Sequence, residues 1–262
     1  MEAGAAAYLV VGTVALVASG LTLVSGFGLG TLLLPAFALF TPVEVAIALT
    51  AIVHFLNNLF KLGLLARHAD RAVVLRFGVP ALLAASLGAQ SLLWLADQPA
   101  LFAYQLAGRV WLVEPVKLIV ALLLVAFTLA ELTPAFRRLA LPPRYLPIGG
   151  VLSGFVGGLS GMQGALRSVF LVKSGLTKHA FVATGVVIAC LVDVSRLISY
   201  TGMVREAHDS LDVGLLATAV LAAFAGAYGG SRVLDKITMH TVQWVVSGLL
   251  VLVAVGLGAG WI

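Results

Sequence analysis

Thr50, His54, Asn57 and Lys61 recur at spacings of 4, 3 and 4 within an otherwise apolar stretch. That rhythm stacks them along one face of a helix, with Asn58 about 100° round the axis. A hydroxyl, two amides and an ammonium group on one wall can donate hydrogen bonds and charge to the oxygens of an anion. The structural alternative is that Asn57 and Asn58 bond neighbouring helices while Lys61 extends its ammonium from the end of the span. His54 is a candidate proton relay, and His179 another. Neither belongs to a metal-like spacing such as HxxxH or CxxC, so no metal is implied.

A second group follows a glycine-rich run, Gly157-Gly158-Leu159-Ser160-Gly161-Met162-Gln163-Gly164, and ends at Arg167. A guanidinium stays charged and offers five donors in a planar fork, which suits a sulfonate, sulfite or carboxylate. Glycines beside it, Gly161 among them, allow backbone amides to approach the same anion, and a half-helix N-terminus would add a favourable dipole. Ser160 and Gln163 add polar side chains, and Arg167 is the strongest single candidate for anion binding. Its alternative role is a membrane-surface anchor with Lys173. Further on, Asp193 and Arg196 lie one helical turn apart and can pair. Asp193 would carry a coupling proton, or the pair would simply neutralise itself. Thr184 lies nine residues before Asp193, about 900° of helix, so the two face opposite ways unless the helix breaks.

The chain that must position these groups is 61% hydrophobic and 10% charged over 262 residues, with a mean hydropathy of +1.10. Soluble domains carry about 25% charged residues, so this composition excludes them and implies an integral membrane protein. Charge-free runs and their flanking turns predict about eight crossings: near residues 5–25, 43–65, 73–95, 115–132, 145–165, 178–200, 212–230 and 240–261. Glu2 and the length of the first apolar run argue against a cleaved signal peptide, so the first span is expected to be retained. The net charge of +5 does not imply nucleic acid, because no basic aqueous domain carries it. Cys190, the single cysteine, reads as a small core residue. Glu44, Gln90 and Tyr200 read as end caps or interhelical bonds. No P-loop appears, and no cofactor is implied.

Two pieces, residues 31–40 and 166–172, are too short to cross, and each follows a glycine break. The first break is Gly26-Phe27-Gly28-Leu29-Gly30, whose Gly28 joins the candidate site. Non-helical backbone at membrane depth is tolerated only where protein or a water-filled cavity covers it, so paired breaks predict re-entrant or broken half-helices around a transport site. Residues 98–113, with Tyr104, Arg109 and Trp111, suit the headgroup level. The chain divides into a first repeat (1–132), a linker (133–147) and a second repeat (148–262). Gly26 and Gly30 fall on Gly157 and Gly161 at an offset of 131, Thr50 on Thr184 at 134, and Gly88 on Gly226 at 138. This order predicts internal duplication, with parallel and inverted arrangements both open. Counted over eight crossings, Arg67, Arg71, Arg76, Arg137, Arg138, Arg144 and Arg205 share the N-terminal side, against Arg109, Lys173, Lys178, Arg232 and Lys236 opposite. The excess predicts cytoplasmic termini.

At Ser25-Gly26-Phe27-Gly28-Leu29-Gly30 with Pro35, Ala48-Leu49-Thr50, Gly154 to Gly161, and Val182-Ala183-Thr184, the chain resembles the TauE/SafE sulfite exporter family, the toluene sulfonate uptake permease superfamily. The resemblance covers nearly the whole length. It implies a two-repeat secondary transporter of about eight spans. Such a protein would move sulfite, sulfonates or related carboxylates across the cytoplasmic membrane, driven by the proton gradient. Where the family's second repeat commonly has a glycine triplet and a proline, this chain has Gln163 and Ala165, and no proline follows Pro147. That departure suggests a subgroup with its own substrate. The expected partners are a small anion and the lipid bilayer, with a homodimer left open. Substrate contacts are expected from Arg167, Gln163, Ser160, Asn57, Asn58, Lys61, Thr50, Thr184, Gly28 and Gly161, and proton coupling from Asp193, Arg196 and His54. Competing readings are a passive anion channel, a membrane subunit that needs a partner, and an intramembrane enzyme, though no GxSxG or HExxH motif supports the last.

Overall fold

The structure, a computed structural model, describes residues 4–25, 29–202, 212–233 and 239–261. Long runs rich in Ala, Leu and Val make the helices, and several end beside a glycine or proline. The first half contains α1 (Ala5–Ser25), the half-helix α2 (Leu29–Ala38), α3 (Val43–Leu65), α4 (Arg71–Ala96) and α5 (Pro115–Leu132). A short helix, α6 (Pro134–Arg138), leads into the second half. There α7 (Leu146–Ser160), the half-helix α8 (Gly164–Leu171), α9 (Lys178–Ser199), α10 (Val213–Val233) and α11 (Met239–Gly258) repeat the same order. Among the described residues, α1, α3, α4 and α9 are long and apolar enough to cross a membrane, and shorter apolar helices include α2 and parts of α5 and α10. This is an all-α polytopic membrane protein, and the eight predicted spans coincide with eight of its helices.

The halves interlock. Helix α1 packs on α10, α7 on α4, α3 on α9, and α5 on α11. Small residues make the closest of these approaches. A Cβ at Gly88 would collide with the Phe155 carbonyl of α7, and one at Gly226 with the Leu16 carbonyl of α1. The two glycines that superimpose at an offset of 138 thus each lie against the first helix of the opposite half.

The seven glycines between 149 and 164 pack more tightly than their spacing first suggests. Close packing of membrane helices calls for a four-residue spacing, which the adjacent pairs interrupt. In the structure the pairs serve two faces. Gly150, Gly154 and Gly158 form one stripe, where a Cβ would meet the backbone of Phe77, Ala81 and Ala85 on α4. Gly149 and Gly157 form the other, against the Phe170 ring and the Gln163 side chain. The break itself is therefore shorter than the glycine run, confined to Gly161, Met162 and Gln163.

Helix α4 has a wide π turn over Val74–Gly78. It precedes Pro80, which has no N–H to continue the regular ladder. Residues 98–113 differ from a simple interfacial segment: Phe102–Leu106 (β1) and Arg109–Val113 (β2) form an antiparallel hairpin with Tyr104 opposite Trp111. Ala107 and Gly108 both have positive φ, 53° and 76°, the backbone that a two-residue hairpin turn requires. The Tyr104 hydroxyl donates to the Ala259 carbonyl at 2.7 Å and fastens the hairpin to the end of α11.

Candidate functional site

Helix α7 ends at Gly161, whose φ of +80° lets the chain reverse at the C-cap while its N–H donates to the Gly157 carbonyl at 2.8 Å. Helix α8 then starts at Gly164 and places Arg167 within its first turn. Gly30, in the first turn of α2, lies directly opposite, because a Cβ on it would stand 2.8 Å from the Gly161 carbonyl oxygen. Gly28 lies outside the described residues.

Between the N-terminal turns of α2 and α8 is a cavity of about 40 Å³, room for a small polyatomic ion or a few waters. The first turns of both half-helices reach it, through Gly30 and Thr31 of α2 and Gly164 of α8. Helix N-termini carry unsatisfied N–H groups and the positive end of the macrodipole. Arg167 and Lys61 line the same space, with Gln163, Asn58 and His54. Lys61 is 2% exposed and Gln163 2%. Neither polar atom of the Gln163 side chain has a hydrogen-bond partner among the described residues. A buried amide left in that state costs about 1–3 kcal/mol, which an oxygen-rich ligand at the cavity would offset.

The polar stripe of α3 divides. His54, Asn58 and Lys61 face the cavity, whereas Asn57 accepts a hydrogen bond from Ser19 of α1 at 3.0 Å and Thr50 lies buried away from the lining. The reason is angular: Asn57 stands about 100° from Asn58, and the cavity takes the Asn58 side. Ser160 and Thr184 likewise lie elsewhere. The Ser160 hydroxyl donates to the Val156 carbonyl at 3.0 Å. Thr184 Oγ1 accepts the Asp70 backbone N–H at 2.9 Å, and the Asp70 carboxylate in turn caps the start of α4. These four, Thr50, Asn57, Ser160 and Thr184, do not line the cavity.

Asp193, on the face of α9 away from Thr184, is fully buried beside the cavity. His54 Nδ1 donates to its Oδ2 at 2.6 Å, Asn58 Nδ2 to the same oxygen at 3.2 Å, and Arg196 Nη2 pairs with Oδ1 at 3.1 Å. The pairing of Asp193 with Arg196 was legible from their spacing, but the bond to His54 was not. Arg196 also donates from Nη1 to the Gly157 carbonyl at 3.4 Å, and the Tyr200 hydroxyl bonds the Gly158 carbonyl. Together they hold the carbonyl end of α7 at the break, where cations are favoured.

Sequence reasoning missed Gly185. A Cβ there would come within 3.4 Å of Arg167 Nε, so the guanidinium lies across a bare patch of α9. A glycine inside a span is a signal for such a close approach, though it names no neighbour.

Interlocked helices, two half-helices and a buried cavity lined by Arg167 and Lys61 define a polytopic membrane protein. A family model described as Sulfite exporter TauE/SafE matches residues 9–257, and the chain belongs to that family. Membership implies a membrane transporter of sulfite or related anions. No curated protein and no solved structure matches the chain.

Proposed function

We propose that this protein is a secondary transporter, not an enzyme, that moves a small oxyanion such as sulfite, an organosulfonate or a related carboxylate across the cytoplasmic membrane in company with a proton, both termini facing the cytoplasm. One observation carries the reading: the N-terminal turns of both half-helices converge with Arg167 and Lys61 on one cavity. Two positive helix ends and two cationic side chains facing one cavity favour an anion there. The anion's oxygens would accept from Arg167, Lys61, Gln163 and Asn58, with Arg167 supplying the planar pair of donors. Lys61 on α3 belongs to the first half and Arg167 on α8 to the second, so motion of one half against the other would open the cavity to either side in turn. The group at His54, Asp193 and Arg196 adjoins the cavity and supplies the coupling charge.

The test is flux in proteoliposomes. Radiolabelled sulfite, a small sulfonate and a small carboxylate are offered with and without an imposed pH gradient, to the natural protein and to Arg167→Ala. Gradient-driven flux of at least one anion, lost in the variant while the protein remains monodisperse, is expected. Flux equal in both proteins would remove Arg167 from the site, and flux indifferent to the gradient would make the protein a channel.

A further inference from the structure

Helices α3 and α9 hold the same place in the two halves, and their side chains alternate in the same way. At an offset of 135, one residue from that of Thr50 and Thr184, Leu59 and Val194 are exposed at 41% and 39% while Lys61 and Arg196 are buried at 2% and 0%. Asn57 then falls on Val192, both buried, and Gly63 on Ile198, both exposed. The two helices run antiparallel: His54 bonds Asp193 and, beyond the end of α3, Asp70 bonds Thr184, so numbers rise along one as they fall along the other. The last helices of the halves do the same, since a Cβ at Gly258, where α11 ends, would stand 3.3 Å from Ala121 in the first half of α5. Equivalent helices of opposite direction make the repeats inverted. Asn58 and Asp193 are themselves equivalents and share a hydrogen bond of 3.2 Å, which places the pseudo-twofold axis between them, beside the cavity.

The cavity uses only part of each helix. His54, Asn58 and Lys61 line it from the middle of α3 onwards, and Val182, Gly185 and Ala189 from the start of α9 to its middle. It therefore lies towards the end of the molecule where α3 finishes and α9 begins. Resting on the anion-transport reading, we propose that Arg196 is the anion-binding counterpart of Lys61, and that it lines the path when the carrier opens towards the other end. For inverted repeats, that second state is the first with the halves exchanged. Each lining residue then gives way to its equivalent: Val182 to Ile47, Gly185 to Thr50, Asn58 to Asp193 and Lys61 to Arg196. This exchanged path is closed here, with Ile47, Thr50, Asp193 and Arg196 each 1% exposed or less. It nevertheless carries polar atoms that the closed form does not use. Thr50 Oγ1 and Arg196 Nε have no hydrogen-bond partner among the described residues, although both are buried. Burying such groups unpaired is unfavourable, and an anion admitted from the other end would accept from both. Until then Asp193, at 3.1 Å, and the Gly157 carbonyl hold the guanidinium in place.

The test reads the two faces separately. Initial rates of radiolabelled sulfite flux are measured in vesicles of uniform orientation, with sulfite offered first to one face and then to the other. Lys61→Gln is expected to raise the half-saturating concentration about tenfold or more from one face, and Arg196→Gln to raise it by as much from the opposite face, the effect of one charge-assisted hydrogen bond. Arg196→Lys should restore part of that loss. A merely structural Arg196 would weaken both faces alike. The second measurement keeps Arg196 intact. In a Cys190→Ala background, Ile47→Cys and Val182→Cys are offered a membrane-impermeant thiol reagent. Each is expected to react from one face only, and the two from opposite faces. Equal weakening at both faces in Arg196→Gln, or weakening at the face that Lys61→Gln affects, would overturn the proposal. So would an Ile47→Cys protein that reacts from the face that labels Val182→Cys, or that never reacts. Absence of saturable sulfite flux in the natural protein would instead sink the transport reading on which the proposal rests.

Discussion

The two half-helices hold equivalent places and carry different chemistry. Helix α2, Leu29–Ala38, is apolar but for Thr31, and nearly all of it is buried. Helix α8, Gly164–Leu171, carries Arg167 and Ser168. Both begin at the same cavity. The shared part is backbone: a helix end that points its N–H groups at a ligand needs no particular side chain. The charge is supplied by one half-helix only, and the matching cation of the first half, Lys61, comes from α3 instead. The cavity is thus alike in its two helix ends and unlike in the elements that bring charge to it.

The contrast is broken most directly at Arg167. Arg167→Ala should lower the initial rate of anion flux about a hundredfold, the factor for losing a charge-assisted hydrogen bond of about 3 kcal/mol. Flux assays paired with a check of monodispersity decide it, and an unchanged rate would erase the asymmetry. The shared scaffold is tested by Gly88→Ala and Gly226→Ala, whose new methyl groups would strike the Phe155 and Leu16 carbonyls. Each should destabilise the protein by about 1–3 kcal/mol in detergent thermal unfolding. Gly63→Ala, with nothing within 4 Å of the added atom, should be neutral or stabilising by about 0.4–1 kcal/mol. Equal tolerance at Gly88 and Gly63 would contradict the close packing of α4 on α7.

Smaller effects sharpen the comparison. Thr184→Val removes the acceptor for the Asp70 N–H and should cost about 1 kcal/mol of stability while leaving anion affinity unchanged. A weakened affinity would return Thr184 to the site. Thr31→Val, at the cavity end of the apolar half-helix, should alter flux by no more than about twofold, equivalent to about 0.5 kcal/mol. A loss as large as that of Arg167→Ala would mean that both half-helices contribute side chains to the substrate.

Much of the architecture was legible before any coordinates. The spans follow from runs of apolar residues, and the half-helices follow from glycines at depths where a helix has no reason to stop. Arg167 and Lys61 stood out because a cation in such a chain needs an anion, a cavity or the membrane surface. The division of the α3 stripe did not stand out. Thr50, Asn57 and Asn58 are all polar, and periodicity gives their angles relative to one another without saying which angle meets the cavity. The hairpin at 102–113 was missed because its aromatic and basic residues read equally well as an interface, and the Ala107-Gly108 turn is a weaker signal than Asn-Gly.

The sequence by itself determined the membrane class, the order of elements, the break before Gly164 and the pairing of Asp193 with Arg196, because each depends on hydrophobicity or on spacing within one helix. Tertiary structure alone decided that Gly30 meets Gly161, that His54 bonds Asp193 across 139 positions, and that Arg167 lies beside Gly185. Those contacts join different helices, and the packing that brings them together depends on the shapes of entire faces, which local periodicity does not encode.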